Sequence, residues 1–182
     1  MPSHGVNLGG IHQLRINNVS VILSSARIQE LAHAGGFDAL VSSDDIHLSM
    51  SGGVSRAIRI AGGDAIADEA RRLAPLKVGD VGVTSAGKLP VRYVLHAITV
   101  DWESSIRPSE LTIRLAAENV FRRCELLGVR RLAMPALGSG AARFAANHAA
   151  RLTVEALAKH SLNPTAIEEV VFSLPDPEAL RV

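Results

Sequence analysis

Short apolar runs alternate with amphipathic stretches along this chain, and that alternation predicts most of its elements. Ile11–Ile16 and Val19–Leu23 read as two strands joined by the Asn17-Asn18 turn. Ser24 or Ser25 is placed to cap a short helix through about Ala34, which Gly35-Gly36 ends. Phe37–Val41 is a short apolar run bounded by turn residues, the mark of a buried strand. A polar loop, Ser42 to Gly53, leads into a helix with apolar Val54, Ala57, Ile58 and Ala61 at three- and four-residue spacing, so one face is buried. Gly62-Gly63 ends it, and a second helix runs from Asp64 to Leu73. Strands follow at Asp80–Thr84 and Arg92–Val100. Pro108 suits the first turn of a long helix from about Ser109 to Leu127, closed by Gly128. Its apolar stripe takes in Leu111, Leu115, Val120, Phe121, Cys124 and Leu127. Arg131–Met134 is a further buried strand, Pro135 to Arg143 a small-residue loop, and a helix then runs to about Lys159. A last strand, Val170–Ser173, precedes a tail in which Pro175-Asp176-Pro177-Glu178 offers the start of one more helix. Strands alternating with amphipathic helices predict an α/β fold, a three-layer α/β/α sandwich with a central mixed β-sheet.

Length and composition narrow the picture. The 182 residues fit one domain, 1–182, with its core between about 19 and 173. Apolar residues at 47% and charged residues at 20% are a globular balance, enough for a real core. Nineteen Lys plus Arg against 18 Asp plus Glu leave a charge of +1, which argues against a strongly basic nucleic-acid binder. Aromatics at 3% leave few stacking platforms for single strands. Cys124 is the lone cysteine, so neither an intramolecular disulfide nor a cysteine-based zinc site is expected. The histidines (His4, His12, His33, His47, His96, His148, His160) form no H-x-x-x-H pair; no metal and no cofactor is expected. No apolar stretch approaches the ~20 residues that span a bilayer. The opening Met1-Pro2-Ser3-His4-Gly5 lacks the parts of a signal peptide, which leads to the expectation of a cytoplasmic domain.

Chemistry concentrates where a strand hands over to a helix, because in open α/β sheets ligands bind beyond the carboxyl ends of the strands. One such loop runs from Ser42 through Asp44, Asp45 and His47 to Gly52-Gly53-Val54-Ser55; the other is Pro135-Ala136-Leu137-Gly138-Ser139-Gly140-Ala141-Ala142-Arg143-Phe144. Glycines let the backbone approach a ligand, and the following helix offers free N–H groups and a positive dipole. Two such loops side by side would cradle a diphosphate, although a tight structural turn is the plainer reading of either alone. Neither loop matches the phosphate-binding G-x-x-x-x-G-K-[ST] or the G-x-G-x-x-G dinucleotide fingerprint. Gly138-Ser139-Gly140 has the wrong register for a G-x-S-x-G nucleophile elbow.

The order of elements and both loops resemble the macro domain family, an ADP-ribose-binding module. The family's D-A-I-V-N-A-A-N is matched by Asp38-Ala39-Leu40-Val41-Ser42-Ser43-Asp44-Asp45, and its G-G-G-V-D-G-A-I run and A-G by Gly52-Gly53-Val54-Ser55-Arg56-Ala57-Ile58 and Ala61-Gly62. Tyr93-Val94-Leu95-His96 matches Y-V-I-H, and Pro135 to Phe144 matches P-A-I-S-T-G-V-Y-G-Y. The likeness runs from about Val19 to Ser173. It implies that Gly52, Gly53 and Val54 hold one side of a diphosphate, and Ser139, Gly140, Ala141 and Ala142 the other, through backbone N–H groups.

Four positions depart from the family. Its asparagine beside the distal ribose is Asp45, its aspartate after G-G-V is Ser55, an aromatic near the distal ribose is Ala142, and the G-D-I-T adenine contact falls within Ser24-Ser25-Ala26-Arg27. Asp45 accepts hydrogen bonds but cannot donate as asparagine does. Beside Asp44 and an anionic diphosphate it has the setting of a proton acceptor, and the expectation is that it contacts the distal ribose; alternatively both aspartates bond their own loop. Ser55 either bonds water or phosphate or caps its helix. His96 reads as a core histidine, and His47 as an acid–base candidate in the ligand loop. Arg143 reaches a phosphate or faces solvent, Phe144 covers the distal ribose or fills core, and Cys124 is core. The resemblance implies binding of ADP-ribose or an ADP-ribosylated protein, with no membrane partner, as a whole chain or part of a larger one. The alternatives are an ADP-ribosyl hydrolase or O-acetyl-ADP-ribose deacetylase using Asp45, and a divergent interaction domain that binds no nucleotide.

Overall fold

A computed structural model describes residues 12–176. Ile11, and the Pro177-Glu178 part of the suggested tail helix, lie outside the described residues. Among the described residues, seven strands form one sheet: β1 (His12–Ile16), β2 (Val19–Ser24), β3 (Ala39–Asp45), β4 (Val81–Ser85), β5 (Tyr93–Val100), β6 (Arg131–Pro135) and β7 (Glu169–Ser173). Their order across the sheet is β1-β2-β7-β6-β3-β5-β4. The outer pairs β1–β2 and β4–β5 are antiparallel, while β2, β7, β6, β3 and β5 run parallel, so the sheet is mixed. Parallel central strands put their carboxyl ends on one edge, and that edge carries the site.

Helices cover both faces. On one side α1 (Ile28–Ala34), α2 (Gly53–Gly62) and α3 (Asp64–Leu73) bury Ile28, Leu31, Ile58 and Ile66 against Leu40, Val94 and Ile98. On the other, α4 (Glu110–Leu127) and α5 (Ala146–His160) bury Phe121, Cys124, Leu152 and Leu157 against Val41, Leu95 and Phe172. The inward side chains are mostly aliphatic and sit on a sheet whose central strands are covered on both faces, as near-continuous apolar runs predict. This is the expected three-layer sandwich.

Four local expectations change. The strand expected at Phe37–Val41 starts at Ala39 and continues through Asp45, because Ser42, Ser43 and Asp44 pair in parallel with His96, Ala97 and Ile98. Ser43 and Asp44 stay in this strand with side-chain partners on β5: Ser43 Oγ lies 3.0 Å from Thr99 Oγ1, and Asp44 bonds His96. Neither Ser24 nor Ser25 caps α1. Ser24 Oγ accepts from Ala26 N–H, and Glu30 accepts from Arg27 N–H, so the helix starts later. Pro108 precedes the cap of α4 rather than standing in its first turn, since Ser109 Oγ accepts from Thr112 N–H. Leu111 and Leu115 are exposed; the buried stripe of α4 runs instead through Ile113, Ala116, Ala117, Val120, Phe121 and Cys124. Burial pushes the Cys124 thiol well above its ordinary range.

Candidate functional site

A cleft of about 310 Å³ opens across the carboxyl ends of β7, β6, β3 and β5. The loop after β3 and the start of α2 form one wall, and the loop after β6 forms the other. Of the residues singled out in the sequence, Asp44, Asp45, Gly52, Gly53, Val54, Ser55, Gly138, Ser139, Gly140, Ala141 and Ala142 all line it. Arg143 and Phe144 do not. Phe144 N–H donates to Gly138 O, and its ring stacks near His148 and packs on the α4–α5 core, which turns it away from the cleft. Ser24–Arg27 also stand outside the lining; Ser173 Oγ bonds Ala26 O and Leu174 N–H bonds Ser24 O, so the end of β7 lies over that segment.

The walls present backbone donors. Gly53, with φ +54°, turns the chain into α2, whose first-turn N–H groups have no intrahelical acceptor. In the opposite loop the bonds Ser139 N to Ala136 O, Arg143 N to Gly140 O and Phe144 N to Gly138 O curl the chain, and Gly138 N–H donates to Ser43 Oγ at 3.1 Å. The N–H groups of Gly140, Ala141 and Ala142 make no hydrogen bond within the described residues. Unpaired donors on both sides of one cleft are the chemistry of an anion cradle.

The two adjacent aspartates do different things. Asp44 is buried, and its Oδ2 lies 2.9 Å from His96 Nδ1; both side chains are fully inaccessible. His96 Nε2 lies 2.9 Å from Thr84 Oγ1, which also lies 2.9 Å from Ser85 O. Thr84, His96 and Asp44 thus form one buried hydrogen-bonded chain from β4 through β5 to β3. Each of the two buried groups is met by a hydrogen-bond partner, a condition that makes such burial tolerable. Asp44 Oδ1 and Ser42 Oγ, two positions apart on the same strand, are buried without a hydrogen-bond partner among the described residues. Asp45 stays at the rim. Its Oδ1 accepts from His47 N–H at 2.9 Å and Ser49 N–H at 3.4 Å, and its Oδ2 accepts from Ser49 Oγ. Ser55 Oγ donates to Gly52 O at 2.8 Å. His47 is not part of the lining; it pairs with Glu103 at 3.0 Å, tying the first loop to the turn after β5.

That turn supplies what sequence reasoning missed. Asp101 and Ile106 exchange both backbone hydrogen bonds, and Trp102 between them lines the cleft. Thr99 and Val100 of β5 and the Ser173–Asp176 segment after β7 line it as well. The signal available for Trp102 was only that the chain's single tryptophan follows a strand in a polar segment.

A family model described as the macro domain matches residues 41–153. The chain belongs to the macro domain family. A macro domain-containing protein of Streptomyces nogalater is 37% identical over 78% of this chain and 80% of its own length. An uncharacterized protein of Mycobacterium tuberculosis is 35% identical over 79% of this chain, which spans only 39% of that relative. The fold is shared with an Oceanobacillus iheyensis macrodomain mutant solved with ADPR (ADP-ribose), at a TM-score of 0.81 and 16% identity over 93% of this chain and 92% of that one. Among the described residues of this macro domain, no helix is long and apolar enough to cross a membrane.

Proposed function

We propose that this macro domain binds ADP-ribose, free or carried on a protein, with the diphosphate between the α2 start and the loop after β6. The observation that carries this reading is the pair of opposed, unpaired backbone donor sets, Gly53–Ser55 and Gly140–Ala142, on the two walls of one cleft. A family relative in fold that is solved with ADP-ribose supports the choice of nucleotide. Backbone donors ask only for small side chains, so Ala142 and Ser55 are compatible with the cradle. By the resemblance, the adenine end lies toward β2 and β7, where the G-D-I-T segment falls, and the distal ribose lies toward Asp45 at the β3–β5 end. Asp45 reaches that ribose as an acceptor while holding its own loop.

The hydrolase alternative through Asp45 gains no support from a carboxylate whose two oxygens are both engaged by its own turn. Calorimetric titration of the chain with ADP-ribose, with ADP and AMP as controls, tests the reading. Micromolar ADP-ribose binding, with AMP at least tenfold weaker because it lacks the diphosphate, is the expected result. No heat and no thermal shift with any of the three overturns it in favour of an interaction domain.

A further inference from the structure

The turn at the β3–β5 end of the cleft is built to hold an aromatic face. Its closing residue Asp101 accepts from Glu103 N–H at 2.9 Å and Ser104 N–H at 3.1 Å, and its backbone pairs twice with Ile106. Hydrogen bonds from Ser104, with a further one from Glu103 N–H, hold the Asp101 carboxyl below its ordinary range, so it is ionised at neutral pH. Trp102 stands on this turn, 44% exposed, in the cleft lining. The guanidinium of Arg107 already lies over its ring, 5.0 Å from the centroid. Asp45 lines the same cleft, while Glu103 of the turn is taken up by His47 at 3.0 Å. An indole face attracts flat cations through the ring's quadrupole, as Arg107 shows, and a carboxylate in the same cleft adds to that attraction.

We propose that Trp102 is a specificity-determining residue, a platform for a planar cation joined to the distal ribose, such as a pyridinium or an alkylguanidinium. The inference rests on the ADP-ribose reading, because that reading places the distal ribose beside Asp45 and so brings its substituent to Trp102. The substituent stacks on the indole, and the carboxylate of Asp45, in the same cleft lining, offsets its charge. Uncharged groups of the same shape keep the stacking and lose the electrostatic part.

The test compares three ligands on the intact chain: ADP-ribose, NAD⁺, which adds a pyridinium at the distal ribose, and NADH, which carries the same ring uncharged. Expected is NAD⁺ binding tighter than NADH by about fivefold, with quenching of the fluorescence of the single tryptophan. Trp102→Ala should weaken NAD⁺ about tenfold, erase the NAD⁺/NADH difference and change ADP-ribose less than threefold. Trp102→Phe should keep most of the preference and shows that the turn still folds. If ADP-ribose binds but NAD⁺ is excluded, or NAD⁺ and NADH bind alike, or Trp102→Ala leaves their ratio unchanged, the inference is overturned and the ADP-ribose reading stands. If ADP-ribose itself does not bind, both fall.

Discussion

The loop after β3 and the loop after β6 border the same cleft, yet different parts of the chain hold them. In the first, one side chain does most of the work: the Asp45 carboxylate gathers the N–H groups of His47 and Ser49 and the Ser49 hydroxyl. In the second, the backbone folds on itself around Gly138, which sits at φ +73° with Ile113 and Pro108 pressed beneath it. A loop held by a carboxylate can be loosened by removing one charge. A loop held by backbone geometry resists side-chain changes and yields only where a Cβ is forced in. The two walls of one cleft are therefore open to different kinds of damage.

The largest effect is expected where the backbone-held wall is invaded. A Cβ on Gly138 would stand 3.0 Å from Ile113 Cδ1 and 3.1 Å from Pro108 Cγ, in a backbone conformation that a branched residue rarely adopts. Gly138→Val should cost roughly 2–4 kcal/mol in urea unfolding, from strain and overpacking together. Binding of ADP-ribose should weaken at least tenfold as the opposite donors lose their aim. A neutral result would show that this wall is not geometrically defined. A smaller effect is expected at the other wall. Asp45→Ala should cost about 1 kcal/mol of stability, since its bonds are solvent-accessible, and weaken ADP-ribose by about tenfold through the freed loop and the lost ribose acceptor. Ser49→Ala, which removes only one of those bonds, should cost less on both measures. If Asp45→Ala leaves affinity unchanged, the carboxylate neither contacts the ribose nor shapes the wall for it.

The contrast also explains what the sequence could tell. Glycines at 52, 53, 138 and 140 mark both loops, because close backbone approach needs them wherever the loops lie. The layers were legible too, from aliphatic runs such as Val94–Ile98 and the spacing within α2. The end of β3 was not. Ser42 to Asp45 look like loop residues, and only the partners His96 and Thr99 on β5, more than fifty positions away, make them strand. The exposed Leu111 and Leu115 misled for a related reason: apolar spacing on a helix does not say which of two overlapping stripes meets the core. Trp102 and the Ser173–Asp176 segment join the cleft through strand order, with β7 and β5 flanking the β6–β3 pair, and no local pattern encodes that order.

The most direct measurement is an amide ¹H–¹⁵N correlation spectrum of the chain as ADP-ribose is added. The account predicts the largest shifts at Gly53–Ser55 and Gly140–Ala142, the unpaired donors of the two walls, moving together along one binding curve. Shifts confined to one wall, or centred on the shallow α4–α5 groove at Glu125 and His160, would contradict a diphosphate held between the two loops.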